Sequence, residues 1–331
     1  LDNPTFRGMR WSLMQSFNDI YILNLHGSSK KKETAPDGGK DENVFDIQQG
    51  VCIGIFIKQP DSSRKCQIHY ADLWGERQNK YDKLDKLDVS KTKWKKAEPK
   101  EPFFVFVPQD EAASDEYGKY WGVAEIAPLN VLGFQTHRDD FAIAYDQSVI
   151  RDRLSAMQAT ILTDDKFAET YRLKDNRDWK VADARKNLRQ VSDKESIIHQ
   201  CNYRPFDQRW SCFSYVAMDY PRRELLTNVA GRKNFCLGIG RQGMAVNDPV
   251  WSLLTCAKYP LDANVFRRGG VNVFPLYLYH DTEELNFGES GRKPNLSNKF
   301  IKEFSGKMGL EFIPDGQGDL KKTVGPEDVF Y

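Results

Sequence analysis

Long apolar runs are missing from this chain of 331 residues. None approaches the roughly 20 residues that a membrane helix needs, and no secretory leader pattern opens the sequence, so the expectation is a cytosolic protein with no membrane partner. Charge of one sign is missing too: 48 Lys and Arg against 47 Asp and Glu leave a formal net charge of +1. That balance neither supports nor excludes nucleic acid, because DNA recognition needs a local basic surface rather than bulk charge. Histidine is scarce, and His26, His69, His137, His199 and His280 share no metal-ligand spacing. The cysteines, Cys52, Cys66, Cys201, Cys212, Cys236 and Cys256, are scattered without zinc-knuckle spacing. They are expected to be buried free thiols, since free Cys behaves as a small core residue. A Gly-x-Ser-x-Gly elbow and a P-loop lysine are absent, which leaves independent catalysis without a basis in the sequence.

What is present can bury a substantial core: 40% of residues are hydrophobic and 29% charged, and the length suits more than one folding unit. Residues 6–17 carry apolar side chains at helical spacing, 19–25 read as a strand, and 27–40 form a Gly/Ser/Lys-rich loop containing Lys30, Lys31 and Lys32. After Asp41-Glu42-Asn43-Val44-Phe45-Asp46-Ile47-Gln48-Gln49-Gly50 comes the apolar run 51–58, expected to be a buried strand. From 61 to 100 the chain is charged, with few apolar anchors, and reads as a solvated connector with a short helix. Residues 103–107 form a dense aromatic strand or core segment. Residues 133–146 lead from a loop into a strand with Phe141, Ile143 and Tyr145 on one side.

Helices are expected over 148–157 and 178–188, the second capped by Asp178. Residues 203–279 are strand-rich, with strands at 210–216, 234–239, 250–254 and 271–279 and a helix at 222–228. A last helix spans 298–305 with Gly306 placed to end it. Residues 326–331 look like a helix start without its helix, so both ends are expected to be cut. Gly238-Ile239-Gly240-Arg241-Gln242-Gly243 fits G-x-G-x-x-G, but Asn247-Asp248-Pro249 follows where a dinucleotide site needs a helix. A tight turn between strands is the expectation, with Arg241 and Gln242 at its tip able to read a base edge.

The order helix, strand, polar loop, strand, with Val44-Phe45 at the loop's exit and Gly50-Val51 at the next strand's start, resembles the C-terminal half of the catalytic domain in amino-group DNA methyltransferases. It is most similar to the single-chain restriction-modification enzymes called Type ISP. Ala71-Asp72-Leu73-Trp74-Gly75, Tyr203-Arg204-Pro205-Phe206-Asp207, Phe274-Pro275-Leu276-Tyr277-Leu278-Tyr279 and the closing Gly325-Pro326-Glu327-Asp328 continue the likeness, in the family's order, over nearly the whole chain. The resemblance implies a mixed α/β fold. Residues 1–70 would be the C-terminal part of a methyltransferase domain, 71–132 a charged connector and junction, and 133–331 an α+β, strand-rich target recognition domain, C-terminally truncated.

By the same resemblance the parent enzyme is a bacterial, cytoplasmic, S-adenosylmethionine-dependent adenine-N6 methyltransferase acting on double-stranded DNA. The Gly-rich cofactor turn and the Asn-Pro-Pro-Tyr-like loop precede this segment in the family and are not in the sequence. No cofactor is therefore expected here, and the remainder of the parent polypeptide becomes a partner. Phe45 would take the stacking face for an extruded adenine; the alternative is a loop-to-core anchor.

Gly133-Phe134-Gln135-Thr136-His137-Arg138-Asp139 is similar to the loop that opens the recognition domain. Thr136, His137 and Arg138 suit phosphate or guanine-edge contact, unless Arg138 closes a turn with Asp139 or Asp140. Arg204, Arg222 and Arg223, interleaved with aromatics, suit backbone clamping, with Arg222 and Arg223 facing solvent and Arg209 structural. The rival function is a protein-interaction or scaffold module without DNA contact.

Overall fold

The computed structural model describes residues 3–60, 64–110, 115–241, 252–266, 270–279 and 291–331. The chain divides into two compact units, Leu1–Tyr120 and Trp121–Tyr331, and the architecture is mixed α/β with several separate sheets.

In the first unit, helix α1 (Arg7–Ser16) leads into strand β1 (Asp19–His26). The sheet runs β2-β1-β3-β4: β2 (Val51–Ile57) is antiparallel to β1, β3 (Gln67–Asp72) parallel to it, and β4 (Lys95–Ala97) antiparallel to β3. A strand covered on both faces is apolar on both, and β1 obeys. Ile20 and Ile22 pack with Ile68, Tyr70 and Phe106, while Leu23 and Leu25 pack with Val44, Ala71 and Leu73.

Two expectations fail in this unit, and a third is decided between its alternatives. The run 51–57 is a strand but not a buried one: Ile53, Ile55, Phe56 and Ile57 are exposed, because β2 is the edge strand. The charged stretch 61–100 holds its short helix, α2 (Arg77–Leu84), but is no solvated connector: it also supplies β3 and β4 to the sheet, and Lys80 is fully buried. Residues 103–107 are a core segment rather than a strand: Phe106 is buried in the core with Val107 packed against it. Their turn places the Phe103 and Phe104 carbonyls where the buried Arg10 guanidinium donates to both, at 2.6–3.1 Å.

The second unit has one large core. Helices α3 (Gln147–Gln158), α4 (Asp164–Thr170) and α5 (Val181–Leu188) contribute Ile150, Leu154, Met157, Phe167, Ala184 and Leu188 to it. Strands β6 (Ile143–Ala144), β8 (Asp207–Cys212) and β7 (Ile198–Arg204) form a three-stranded sheet in the order β6-β8-β7. A second antiparallel sheet runs β10 (Leu254–Ala257), β9 (Cys236–Gly240), β11 (Val271–Pro275), β5 (Val131–Leu132), and adds Cys236, Val271 and Val273 to the same core.

Asp178 does not cap α5. It forks onto Arg177, and the Val181 amide donates instead to Asp175 at 3.0 Å. Helix α6 (Arg223–Asn228) forms as expected, whereas α7 (Asn298–Met308) runs through Gly306 and ends at Gly309, whose φ of +66° is the left-handed cap. Residues 326–331 hold a short helix, α8 (Pro326–Phe330). Gly238 and Gly240 lie inside β9 rather than in a turn; side chains there would strike Leu261 and Leu253 at 2.7 Å.

Cys201, Cys212 and Cys236 are buried, and burial pushes their thiols up; Cys52 and Cys256 are exposed, against expectation. Among the described residues no helix is long and apolar enough to cross a membrane.

Candidate nucleic-acid interface

The richest polar network of the second unit grows from Gly133. A β-carbon there would lie 2.6 Å from the Leu261 carbonyl oxygen and 2.7 Å from the Ala263 nitrogen, so only glycine lets the chain pass. Beyond it, Phe134 donates to the Leu261 carbonyl and Gln135 exchanges two 3.0 Å backbone hydrogen bonds with Tyr220. This threading brings residues 136–138 against Asp219.

The Arg138 guanidinium donates to Asp219, to the Thr136 carbonyl at 2.6 Å and to the Ala217 carbonyl at 3.3 Å, and it lies 3.8 Å over the Trp179 ring. Asn176 donates to Asp219 at 2.9 Å, and His137 Nδ1 is hydrogen-bonded to the same carboxylate. Burial pushes the Asp219 carboxyl up, but hydrogen bonds from Arg138, His137 and Asn176 outweigh it and hold the group below the usual carboxylate range.

Arg138 therefore closes neither on Asp139 nor on Asp140. Its partner is 81 residues away. Thr136 and Arg138 are buried, with the Thr136 hydroxyl bonded to Asp139, so of the three loop candidates only His137 keeps a half-exposed side chain. His137 also sits at φ +55°, a conformation that costs a non-glycine residue on the order of 1 kcal/mol or more.

This loop lines a cleft of about 440 Å³ together with Tyr171, Lys174 and Asp262. Asp262 is 2% exposed, and burial pushes its carboxyl up to about 6 despite hydrogen bonds from the Asn264 amide at 2.6 Å and Arg204 at 3.1 Å. The Tyr203 hydroxyl donates to Asp139 at 2.7 Å; burial, then Asp139, push the phenol up to about 12. Arg204 lies 3.7 Å over the Tyr203 ring.

Arg209 is structural, as expected: it forks onto Asp207 and stands 4.1 Å from the Tyr145 ring and 4.8 Å from that of Tyr203. Arg222 is only half exposed, its guanidinium 4.8 Å over Tyr220 and 3.4 Å from the Gly133 carbonyl, whereas Arg223 faces solvent. The structure thus gathers Thr136, His137, Arg138, Arg204 and Arg222 around one loop. Arg241 is exposed at the end of β9, and Gln242 lies outside the described residues.

In the first unit Phe45 is 58% exposed on a loop clamped from α2. Arg77 donates to the Asn43 carbonyl at 2.7 Å and the Phe45 carbonyl at 3.1 Å, and the Tyr81 hydroxyl donates to the Val44 carbonyl. Lys80 reaches Asp41 at 2.7 Å and the Leu25 and Glu42 carbonyls at 2.7 and 2.6 Å. Lys30, Lys31 and Lys32 are exposed on the preceding loop. Phe45, Asn43, Ser28, Glu33, Asp46 and Arg77 line a depression of about 630 Å³. Lys80, Arg77 and Asn176 escaped the sequence reading, since each acts on a partner far along the chain and sits in no motif.

A strand-rich unit whose turns gather anchored polar side chains at one cleft has the build of a specificity module. Residues 125–331 match the model of the Type ISP C-terminal specificity domain, and the chain belongs to that family. No curated protein matches it.

Among solved structures it is similar to a nuclease-deletion mutant of the Type ISP restriction-modification enzyme LlaGI in complex with a DNA substrate mimic (21% identity, TM-score 0.53, covering 92% of this chain and 30% of that one). It is also similar to the ATP-dependent Type ISP enzyme LlaBIII bound to DNA (21%, 0.55, 91% and 20%) and to a DrdV–DNA complex (18%, 0.55, 93% and 31%). At these identities the likeness shows the fold. The chain spans less than a third of each of these proteins.

Proposed function

We propose that this chain recognises the DNA target of a restriction-modification enzyme that methylates adenine at N6, with the second unit reading the duplex. The observation that carries the reading is the family match over 125–331. The three similar structures, all DNA complexes, support it. His137, half exposed and fixed by a buried carboxylate, Arg204, paired with Asp139 and Asp262 of the cleft wall, and the exposed Arg223 and Arg241 are among the described side chains that a duplex can meet in the second unit. The exposed Lys30, Lys31 and Lys32 offer phosphate contacts from the first.

Phe45 takes the role of a stacking face for an extruded adenine, supported by its exposure and by the clamp that holds its backbone. S-adenosylmethionine would supply the methyl group. The sequence's G-x-G gives it no support: Gly238 and Gly240 lie within β9, packed against leucine side chains. Its site is accordingly assigned to the remainder of a longer polypeptide. The apolar, uncovered β2 supports such a partner, since an edge strand left in water is normally guarded by charge.

Duplex binding by the 331-residue chain, measured across salt concentrations, tests the reading. Phosphate contacts release counterions, so log K should fall linearly with log salt, by about 0.9 per phosphate neutralised. No binding at low salt would leave the scaffold alternative.

A further inference from the structure

The tip of the β7–β8 hairpin breaks two rules at once. Arg204 pairs with Asp207 across a two-residue turn, Pro205-Phe206. Phe206 occupies the second turn position with φ +62°, where the backbone favours glycine or asparagine. The residue is also fully exposed, more than any other large hydrophobic residue among those described. A bulky side chain held in the left-handed region and surrounded by water returns no packing energy to the fold, and strain of this kind gathers at functional positions.

The turn beneath it is braced. Pro205 restricts its own φ, and Asp207 is gripped by the fork of Arg209, which Tyr145 and Tyr203 flank. Tyr203 is tied to Asp139 and Arg204 to Asp262, both in the wall of the cleft that His137 lines. The ring thus projects into solvent from a braced turn whose flanking residues are tied to the cleft wall.

We propose that Phe206 is a wedge that enters a base step of bound duplex DNA, partly unstacking it. A flat apolar ring on a stiff turn beside a part-exposed arginine suits a partner that offers apolar base faces bordered by phosphates. The inference rests on the DNA reading above and adds to it a residue, a mode of contact and a distortion.

The test uses the whole chain and a short duplex that the wild type has selected from a random-sequence pool, with 2-aminopurine placed at successive positions. Wild type should raise 2-aminopurine fluorescence at one step. Phe206→Gly should abolish that rise and weaken binding by roughly tenfold, yet raise the protein's melting temperature by a few degrees, because glycine relieves the strained φ. Phe206→Leu should keep much of the unstacking.

A Phe206→Gly chain that binds and unstacks like wild type overturns the wedge, as does a wild type that binds without any fluorescence rise. A lower melting temperature in Phe206→Gly would make the ring structural and overturn it too. A wild type that selects no duplex at all refutes instead the DNA reading on which the wedge stands.

Discussion

The two units bury a cation by different means. In the first, Lys80 is a point charge facing Asp41 and two carbonyls, those of Leu25 and Glu42, all supplied by the chain leading up to Phe45. In the second, Arg138 uses its planar fork: one carboxylate, two carbonyls and a tryptophan face, with Asp219 shared by His137 and Asn176. Each device fixes a loop that leaves a ring exposed beside it, Phe45 in one unit and His137 in the other. The surroundings differ. Unit two closes around one core, whereas unit one splits its core into two small clusters and leaves an apolar edge strand uncovered. A buried ion pair therefore carries a larger share of local order in the unit with the smaller core.

The largest expected effect tests that share. Lys80→Ala leaves Asp41 buried without its charge partner and should destabilise the first unit by about 3–5 kcal/mol. Hydrogen exchange of residues 41–50 should accelerate, with little change around His137. Unchanged exchange in 41–50 would break the comparison.

Next in size is the pH dependence of the second unit. The folded Asp262 carboxyl titrates near 6 against an ordinary 3.8, so between about pH 4 and 6 the native state holds a proton that the unfolded chain has released. Its contribution is fully present below the unfolded value and is lost as pH rises through the folded one, by up to roughly 3 kcal/mol. Asp262→Asn should flatten this slope, read from urea midpoints at pH 4 and pH 7. A variant with the wild-type slope would show that another group titrates.

The smallest effect is at β2. Ile53→Thr and Ile55→Thr should each change stability by about 0.5 kcal/mol or less, as surface substitutions do, while reducing self-association of the purified chain. Losses of core size would mean that β2 is covered in solution.

Local periodicity made much of the first unit legible: α1, β1 and β2 stand where apolar spacing placed them, as do α3 and α6 in the second. Where local signals competed, the nearest candidate lost. Gly306 was passed over for Gly309, whose backbone turns left-handed; Asp178 lost the cap of α5 to Asp175; and the aromatic run 103–107 bent away from strand geometry to serve Arg10. The candidate site divided in the same way. Phe45 was visible because its exposure follows from a polar loop between two strands. Arg138 could not be placed, because its partner lies far along the chain.

The sequence alone determined the mixed α/β class, the first three elements of the first unit and the family, since these depend on short-range spacing and on motif order. The tertiary structure alone decided which charges are buried and which rings are exposed. Burial is a property of neighbours: Lys80 and Lys32 look alike in a charged stretch, yet one meets Asp41 in the interior and the other meets water. Phe206 is part of a family motif on the page of residues, and only the hairpin's φ angle and the empty space around its ring mark it as a residue held for something outside the chain.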